Sequence, residues 1–394
     1  MRDESVFRCG IVLILLWAVL FALFTGGAAL TRQKYAAKSG NETGSDETSE
    51  ETGGPDAEPW FLPDWSDLES GTALPADVLS GRDALPGILP PVEGTGTEDL
   101  EITVYRSADG SVVTMPLEDY VLCVLSAEMP LSFGTEALKA QAVAIRTVTL
   151  YQLSVGREHG QTDAPVCDDY RHCMAFLSPE EGLSCFGASY MEGLREAVAS
   201  TEGLILTSGG APIAAMFHSS SHGRTEDAEA VLGSSLPCLV SVTSWEDDRV
   251  SGKTLAFSSF RALFTDRRDV PFEGLSLSRD PSGRVASVSA FGVSLTGTEF
   301  RALAGLASAD FEISLDGDTV SIVCHGSGHG VGLSQYGAAR MAEFGYSFSE
   351  ILSHYYPGSE MKDAGDARDA RDARDARDAR DAMYFLDRES TKEA

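Results

Sequence analysis

The chain has 394 residues, 43% of them hydrophobic, which is enough for one large or two ordinary domains. Its formal net charge of −30 repels polyanions and argues against nucleic acid and anionic membrane surfaces as partners. The acidity is uneven: 41-NETGSDETSEETGGPDAEPW-60 has the composition of a solvated, disordered spacer.

The N-terminus carries no charge from Cys9 to Thr31, long enough to cross a bilayer, which takes ~20 apolar residues. The run is long for a signal-peptide core and reads as an uncleaved anchor; cleavage near Gly27-Ala28-Ala29 is the rival reading. Arg2 and Arg8 precede the run, and Arg32, Lys34 and Lys38 follow it, so charge does not fix its orientation. The expectation is a cell-membrane protein with a single N-terminal pass and the bulk of the chain exported. Four parts follow: a membrane segment (1–35), an acidic disordered linker (36–100), a folded region (101–362) and a low-complexity tail (363–394). The tail repeats Asp-Ala-Arg with no apolar stripe to bury.

The folded region opens on a hairpin about Ala108-Asp109-Gly110, with Pro116 in the first turn of the helix that follows. Tyr120, Val121, Val124 and Leu125 recur at helical spacing, and Pro130 should stop that helix at Glu128. A second helix is expected over 135–153, with Thr135 as its N-cap and alanines that imply close packing. A third, amphipathic, covers 189–203. Strands are predicted at 204–207 and 213–217 about a Ser-Gly-Gly turn, and Ser347 with Glu350 forms a capping box. Helices and strands mix without βαβ alternation, so the fold class is α+β, with the elements forming a cleft.

Four stretches could carry chemistry. Glu128, at a helix C-terminus beside Leu125, Met129 and Leu131, faces the negative end of the helix dipole and apolar neighbours. Both disfavour ionisation, as a general acid requires. Read from these residues alone, an ordinary exposed last-turn glutamate is the simpler account. In 159-HGQTDAPVCDDYRHC-173, His159, Cys167, His172 and Cys173 offer the ligand types of tetrahedral zinc. Four protein ligands would make such a site closed and structural, with Asp163, Asp168 and Asp169 available as outer acceptors; a Cys167–Cys173 disulfide is the competing reading. In 217-FHSSSHGRTED-227 serine and histidine lie close, but the G-x-S-x-G elbow of a serine hydrolase is absent. This stretch reads as a polar loop lining a site. Finally, 324-CHGSGHGVGLSQYG-337 fits neither a phosphate loop, having no Lys, nor a dinucleotide loop, having Val331 at the third glycine position. Its glycines suggest a backbone that another chain approaches closely, with His329, Gln335 and Tyr336 as polar contacts, which suits a sugar-binding groove.

Three segments, 126-SAEMPLSFGTEALKAQAVAIRT-147, 216-MFHSSSHGRTE-226 and 328-GHGVGLSQYGAARMAEFGYSFSEILSHYYPG-358, together resemble the stage II sporulation protein D family, which shares a domain with amidase-modifier proteins of the cell wall. The N-terminal anchor and the His/Cys cluster resemble those of clostridial members. The resemblance implies a lytic transglycosylase that cuts peptidoglycan between N-acetylmuramic acid and N-acetylglucosamine, leaving 1,6-anhydro ends. It implies Glu128 as the catalytic acid and Arg146, His218, Ser219, Ser221, His329, Ser334, Gln335 and Tyr336 as substrate-side residues. It also implies one structural zinc on His159, Cys167, His172 and Cys173. The partners implied are glycan strands, a cell-wall amidase that strips stem peptides, and other membrane proteins of forespore engulfment. The chain departs from the family pattern at Cys324-His325-Gly326, where Gly-Arg-Gly is usual, and at Ser221-His222-Gly223, where Ser-Gly-Gly is usual. His159 also lies farther from Cys167 than the first zinc histidine usually does. Two other classes stay open: a non-catalytic, wall-binding modifier of an amidase, and a zinc-dependent hydrolase, which would need an open coordination position.

Overall fold

The computed structural model describes residues 100–365 apart from Gln161 and Arg171. The expected membrane segment, all but the last residue of the expected acidic linker, and residues 366–394 of the repeat tail lie outside the described residues. Among the described residues no helix is long and apolar enough to cross a membrane.

The hairpin β1 (Glu101–Tyr105) and β2 (Val112–Pro116) leads into α1 (Leu117–Glu128). Pro116 caps α1 from outside instead of standing in its first turn, and the helix stops at Glu128 because Met129, ahead of Pro130, is extended. A short 3₁₀ turn (Leu131–Phe133) precedes α2 (Thr135–Ser154), where Gly134 and not Thr135 is the N-cap; no side chain caps this end. Next come β3 (Val166–Cys167), α3 (Pro179–Phe186), α4 (Ala188–Ala199), β4 (Leu204–Ser208) and β5 (Ala211–Pro212). Gly209 and Gly210 turn the chain between β4 and β5 with positive φ at both positions. The predicted strand over 213–217 does not form: only β6 (Phe217–His218) pairs, and 213–216 is irregular.

After α5 (Ala228–Leu232), the chain builds a β-rich region with two three-stranded sheets. Its elements are β7 (Val250–Ala256), α6 (Phe257–Ala262), β8 (Ser276–Arg279), β9 (Val285–Ala290), β10 (Val293–Thr296), α7 (Gly297–Ala304), β11 (Phe311–Asp316) and β12 (Thr319–His325). It has a phenylalanine core of its own, centred on Phe260, Phe264, Phe291, Phe300 and Phe311. Then β13 (Leu333–Ser334), α8 (Gln335–Glu343) and α9 (Phe348–Tyr355) return to the helical region, and β14 (Glu360–Asp363) pairs with β4. That pairing runs one residue into the segment assigned to the tail.

α2 is the axis of the helical region. It packs against α1, α4, α8, α9 and β4, and Ala137, Ala140, Ala142 and Ala144 are fully buried, which lets those neighbours close in. The α9 capping box forms as predicted: Glu350 N–H donates to Ser347 Oγ, and Ser347 N–H donates to Glu350. The fold is mixed α+β.

Candidate active site

β13 runs parallel to β6, pairing Leu333 with Phe217 and Ser334 with His218, and isolated bridges join Ser220 to Ser327 and Glu226 to Val331. This lays the serine-histidine loop directly on the glycine loop. The glycines exist for that contact: a Cβ on Gly332 would collide with Met216 O, and one on Gly328 would meet His218 Cβ at 2.8 Å. Both have positive φ. The close approach expected of this loop is therefore made by the protein's own 216–221 backbone, and the glycines do not by themselves form an open sugar groove.

α8 starts at Gln335, with Ser334 as N-cap accepting Gly337 N–H, and so points Gln335 toward the end of α1. Gln335 Nε2 donates to Glu128 Oε2 at 3.0 Å, and Ala175 N–H donates to Glu128 Oε1 at 2.8 Å. Both partners are neutral, and among the described residues no cation pairs with this carboxyl. The residue keeps part of its surface open to solvent, but protein crowds its carboxyl, and that desolvation raises its pKa against the smaller opposing pull of the two hydrogen bonds. Burial thus biases the carboxyl towards its protonated form, in the direction expected from the sequence.

The other expected contacts divide. Arg146 does not line the site. It is fully buried, held bidentately by Glu118, with a further bond from Nη1 to Leu204 O; it is a structural cation joining α2 to the start of α1 and to β4. His218, Ser221 and Ser334 are buried as well. Ser221 Oγ lies 2.6 Å from His218 Nε2, whose Nδ1 faces Val331 O at 3.2 Å. Burial holds His218 in its neutral form, so the serine hydroxyl donates to it and the pair fixes the loop. His329 is half-buried, and burial with nearby Arg301 and Arg284 pushes its pKa down to about 3. Ser219 is half-buried, and its carbonyl accepts Tyr336 N–H. Tyr336 stacks edge-on with Phe133, and the Arg249 guanidinium sits 4.1 Å above its ring.

Glu246 was missed from sequence. It accepts Ser221 N–H and the hydroxyls of Ser334 and Ser244, tying the serine loop to the α8 N-terminus. A lone glutamate in an irregular stretch gives no signal of that role.

The His/Cys cluster does converge. The ligand atoms of His159, Cys167, His172 and Cys173 all lie within 4.8 Å of one another. His159 Nε2 stands 2.9 Å from His172 Nδ1 and 3.1 Å from Cys173 Sγ; Cys167 Sγ is 3.4 Å from His172 Nδ1. Ligands at about 2.0–2.3 Å from a tetrahedral zinc stand roughly 3.3–3.8 Å apart, so the donor set fits after a small expansion. His159 Nδ1 faces Ala164 O at 2.8 Å, which leaves Nε2 as the ligand atom. No disulfide joins the described cysteines. The stretch just past Cys173 reaches the acid: Ala175 holds Glu128, Phe176 stacks with Tyr120, and Leu177 N–H donates to Cys123 O.

A family model described as stage II sporulation protein matches residues 105–208. The chain is 40% identical over 278 residues to stage II sporulation protein D of Bacillus subtilis (strain 168), across 67% of this chain and 80% of that protein. The chain belongs to the stage II sporulation protein D family. The Bacillus amyloliquefaciens protein of the same name is 39% identical over 275 residues, across 67% and 79% of the two chains. More distant is the protein of Bacillus subtilis (strain 168) named amidase enhancer, 27% identical over 298 residues, across 60% of this chain and 39% of that one. The stage II sporulation protein D family is a sporulation family, and its model covers Glu128 and the whole His/Cys cluster but none of the β-rich region.

Proposed function

We propose that the chain is a lytic transglycosylase that cuts the N-acetylmuramic acid–N-acetylglucosamine bond of peptidoglycan during sporulation, with Glu128 as its single acid and base. The observation that carries this reading is the Glu128 carboxyl, raised in pKa by burial and held by two neutral partners at the end of α1. The protonated carboxyl gives its proton to the glycosidic oxygen as the C1–O bond breaks, with the electron pair leaving on that oxygen. The oxocarbenium-like centre is then attacked by the sugar's own C6 hydroxyl, whose proton returns to the Glu128 carboxylate. No water is consumed, so no second carboxylate is needed. Gln335 suits both states: its NH₂ donates to the carboxylate, and its carbonyl, after a half-turn of the amide, accepts from the acid.

His159, Cys167, His172 and Cys173 would hold one zinc with no position left open, which makes it a structural cross-link and disfavours a zinc hydrolase. Its task is to fix the turn that presents Ala175 N–H to Glu128. The N-terminal apolar run would anchor the chain in the membrane with the catalytic region outside the cytoplasm. The preferred substrate is a strand already stripped of stem peptides by an amidase, with other engulfment proteins of the membrane as neighbours. The relative named amidase enhancer keeps a second reading in view, a non-catalytic modifier of an amidase.

Incubating the protein and its Glu128→Gln variant with stripped glycan strands, followed by mass spectrometry of the ends, separates the two. Anhydro ends from the parent alone support the transglycosylase. Binding without cleavage by either protein supports the modifier.

A further inference from the structure

A second cluster of metal-ligating side chains lies outside the machinery described above. His222, Asp248 and His325 come from three separate stretches: the serine-histidine loop, the segment ahead of β7 and the end of β12. Their ligand atoms lie within 4.8 Å of one another. Asp248 Oδ2 stands 2.8 Å from His325 Nδ1 and 3.7 Å from His222 Nε2, and the two imidazoles stack at 4.6 Å with 17° between their planes.

The surroundings pre-arrange these groups. Asp310 Oδ2 lies 3.0 Å from His222 Nδ1, taking up that N–H and leaving Nε2 with its lone pair toward Asp248. Asp310 is itself buried and fixed by Arg279, whose Nη1 donates to Oδ1 at 3.0 Å. Backbone bonds lock the segments together: His325 N–H donates to Asp310 O, and Gly326 N–H donates to Arg249 O. A carboxylate behind one histidine, and a second carboxylate between two imidazoles, is the arrangement that orients histidines for a metal. Two histidines and one carboxylate with solvent on the open side match the donor set of a three-ligand transition-metal site that keeps positions open.

We propose that His222, Asp248 and His325 bind one divalent transition metal ion, zinc or its neighbours in the first row, in a three-ligand site separate from the Cys-containing cluster. The donor chemistry distinguishes it: two imidazoles favour a transition metal over Mg²⁺ or Ca²⁺, and the absence of thiolate makes it weaker than the four-ligand site. The open positions take oxygen donors, from water or from an oxygen-rich ligand. Nothing here depends on the transglycosylase reading.

The test uses the metal-stripped full chain in detergent, titrated with Co²⁺ in excess Mg²⁺. The Mg²⁺ fills carboxylate-only surface sites on a chain with 60 acidic residues. The expected result is two equivalents, one with a thiolate-to-cobalt band and a weaker one without it. The His222→Ala/His325→Ala variant should lose only the second equivalent, and Asp248→Asn should weaken it at least tenfold. Circular dichroism and an intact thiolate band report that each variant is folded. A single thiolate-bound equivalent in the parent, or two equivalents surviving in the double variant, would overturn the proposal. A failure of the Cys-containing site would show separately, as loss of the thiolate band.

Discussion

One helix carries two glutamates with opposite fates. At its start, Glu118 lies at the positive end of the α1 dipole and clasps the buried Arg146 guanidinium with both oxygens. At its end, Glu128 lies at the negative end, takes a backbone N–H and an amide, and is crowded by protein. The first environment makes an ion pair that ties helices together. The second favours a carboxyl that can hold a proton and release it. Residue type decided neither outcome; the counter-charge and desolvation did.

The comparison can be broken at either end. Glu128→Gln should cut glycan cleavage by about 10²–10⁴-fold, the usual worth of a general acid, read as anhydro ends per unit time. Its stability should not fall. A carboxyl whose folded pKa is raised above the unfolded value binds more protons when folded, so it adds stability at low pH and loses it as pH rises through the folded pKa. Above that pH the glutamine variant should melt at the same or a higher temperature. Glu118→Gln should do the reverse: removing one partner of a buried ion pair costs about 3–5 kcal/mol, seen in denaturant melts, while the folded fraction keeps its activity. Chelation, or Cys173→Ser, should free the turn bearing Ala175 and lower cleavage up to about tenfold, roughly the loss of one hydrogen bond of about 1.5 kcal/mol. The smallest effect is the most diagnostic. The Gln335 hydrogen bond lowers the Glu128 pKa, so Gln335→Leu should move the basic limb of the kcat/KM profile to higher pH.

What was legible in the sequence followed the range of the interactions. The end of α1 was readable because Pro130 dictates Met129 locally. The His/Cys cluster was readable because all four donors sit in one fifteen-residue stretch. Arg146 was misplaced because its partner Glu118 lies 28 residues away on another helix, and a helical arginine looks the same whether it meets a carboxylate or a ligand. The glycine loop was read as a groove because sequence shows that something must approach, not that Met216 and His218 already do. The β-rich region from β7 to β12 was not resolved into elements at all. Its β7–β12 pairing and its phenylalanine core join residues far apart in the chain, a register that no short window displays. Glu246 and the His222–Asp248–His325 cluster went unseen for the same reason.

The measurement that tests the account most directly is an infrared titration of the Glu128 carboxyl, taken as the difference between the parent protein and Glu128→Gln. The account predicts a protonated carboxyl that persists above the ordinary glutamate value of 4.5. A carboxyl that ionises at or below that value would contradict it, because the residue would then be a plain carboxylate with no proton to give.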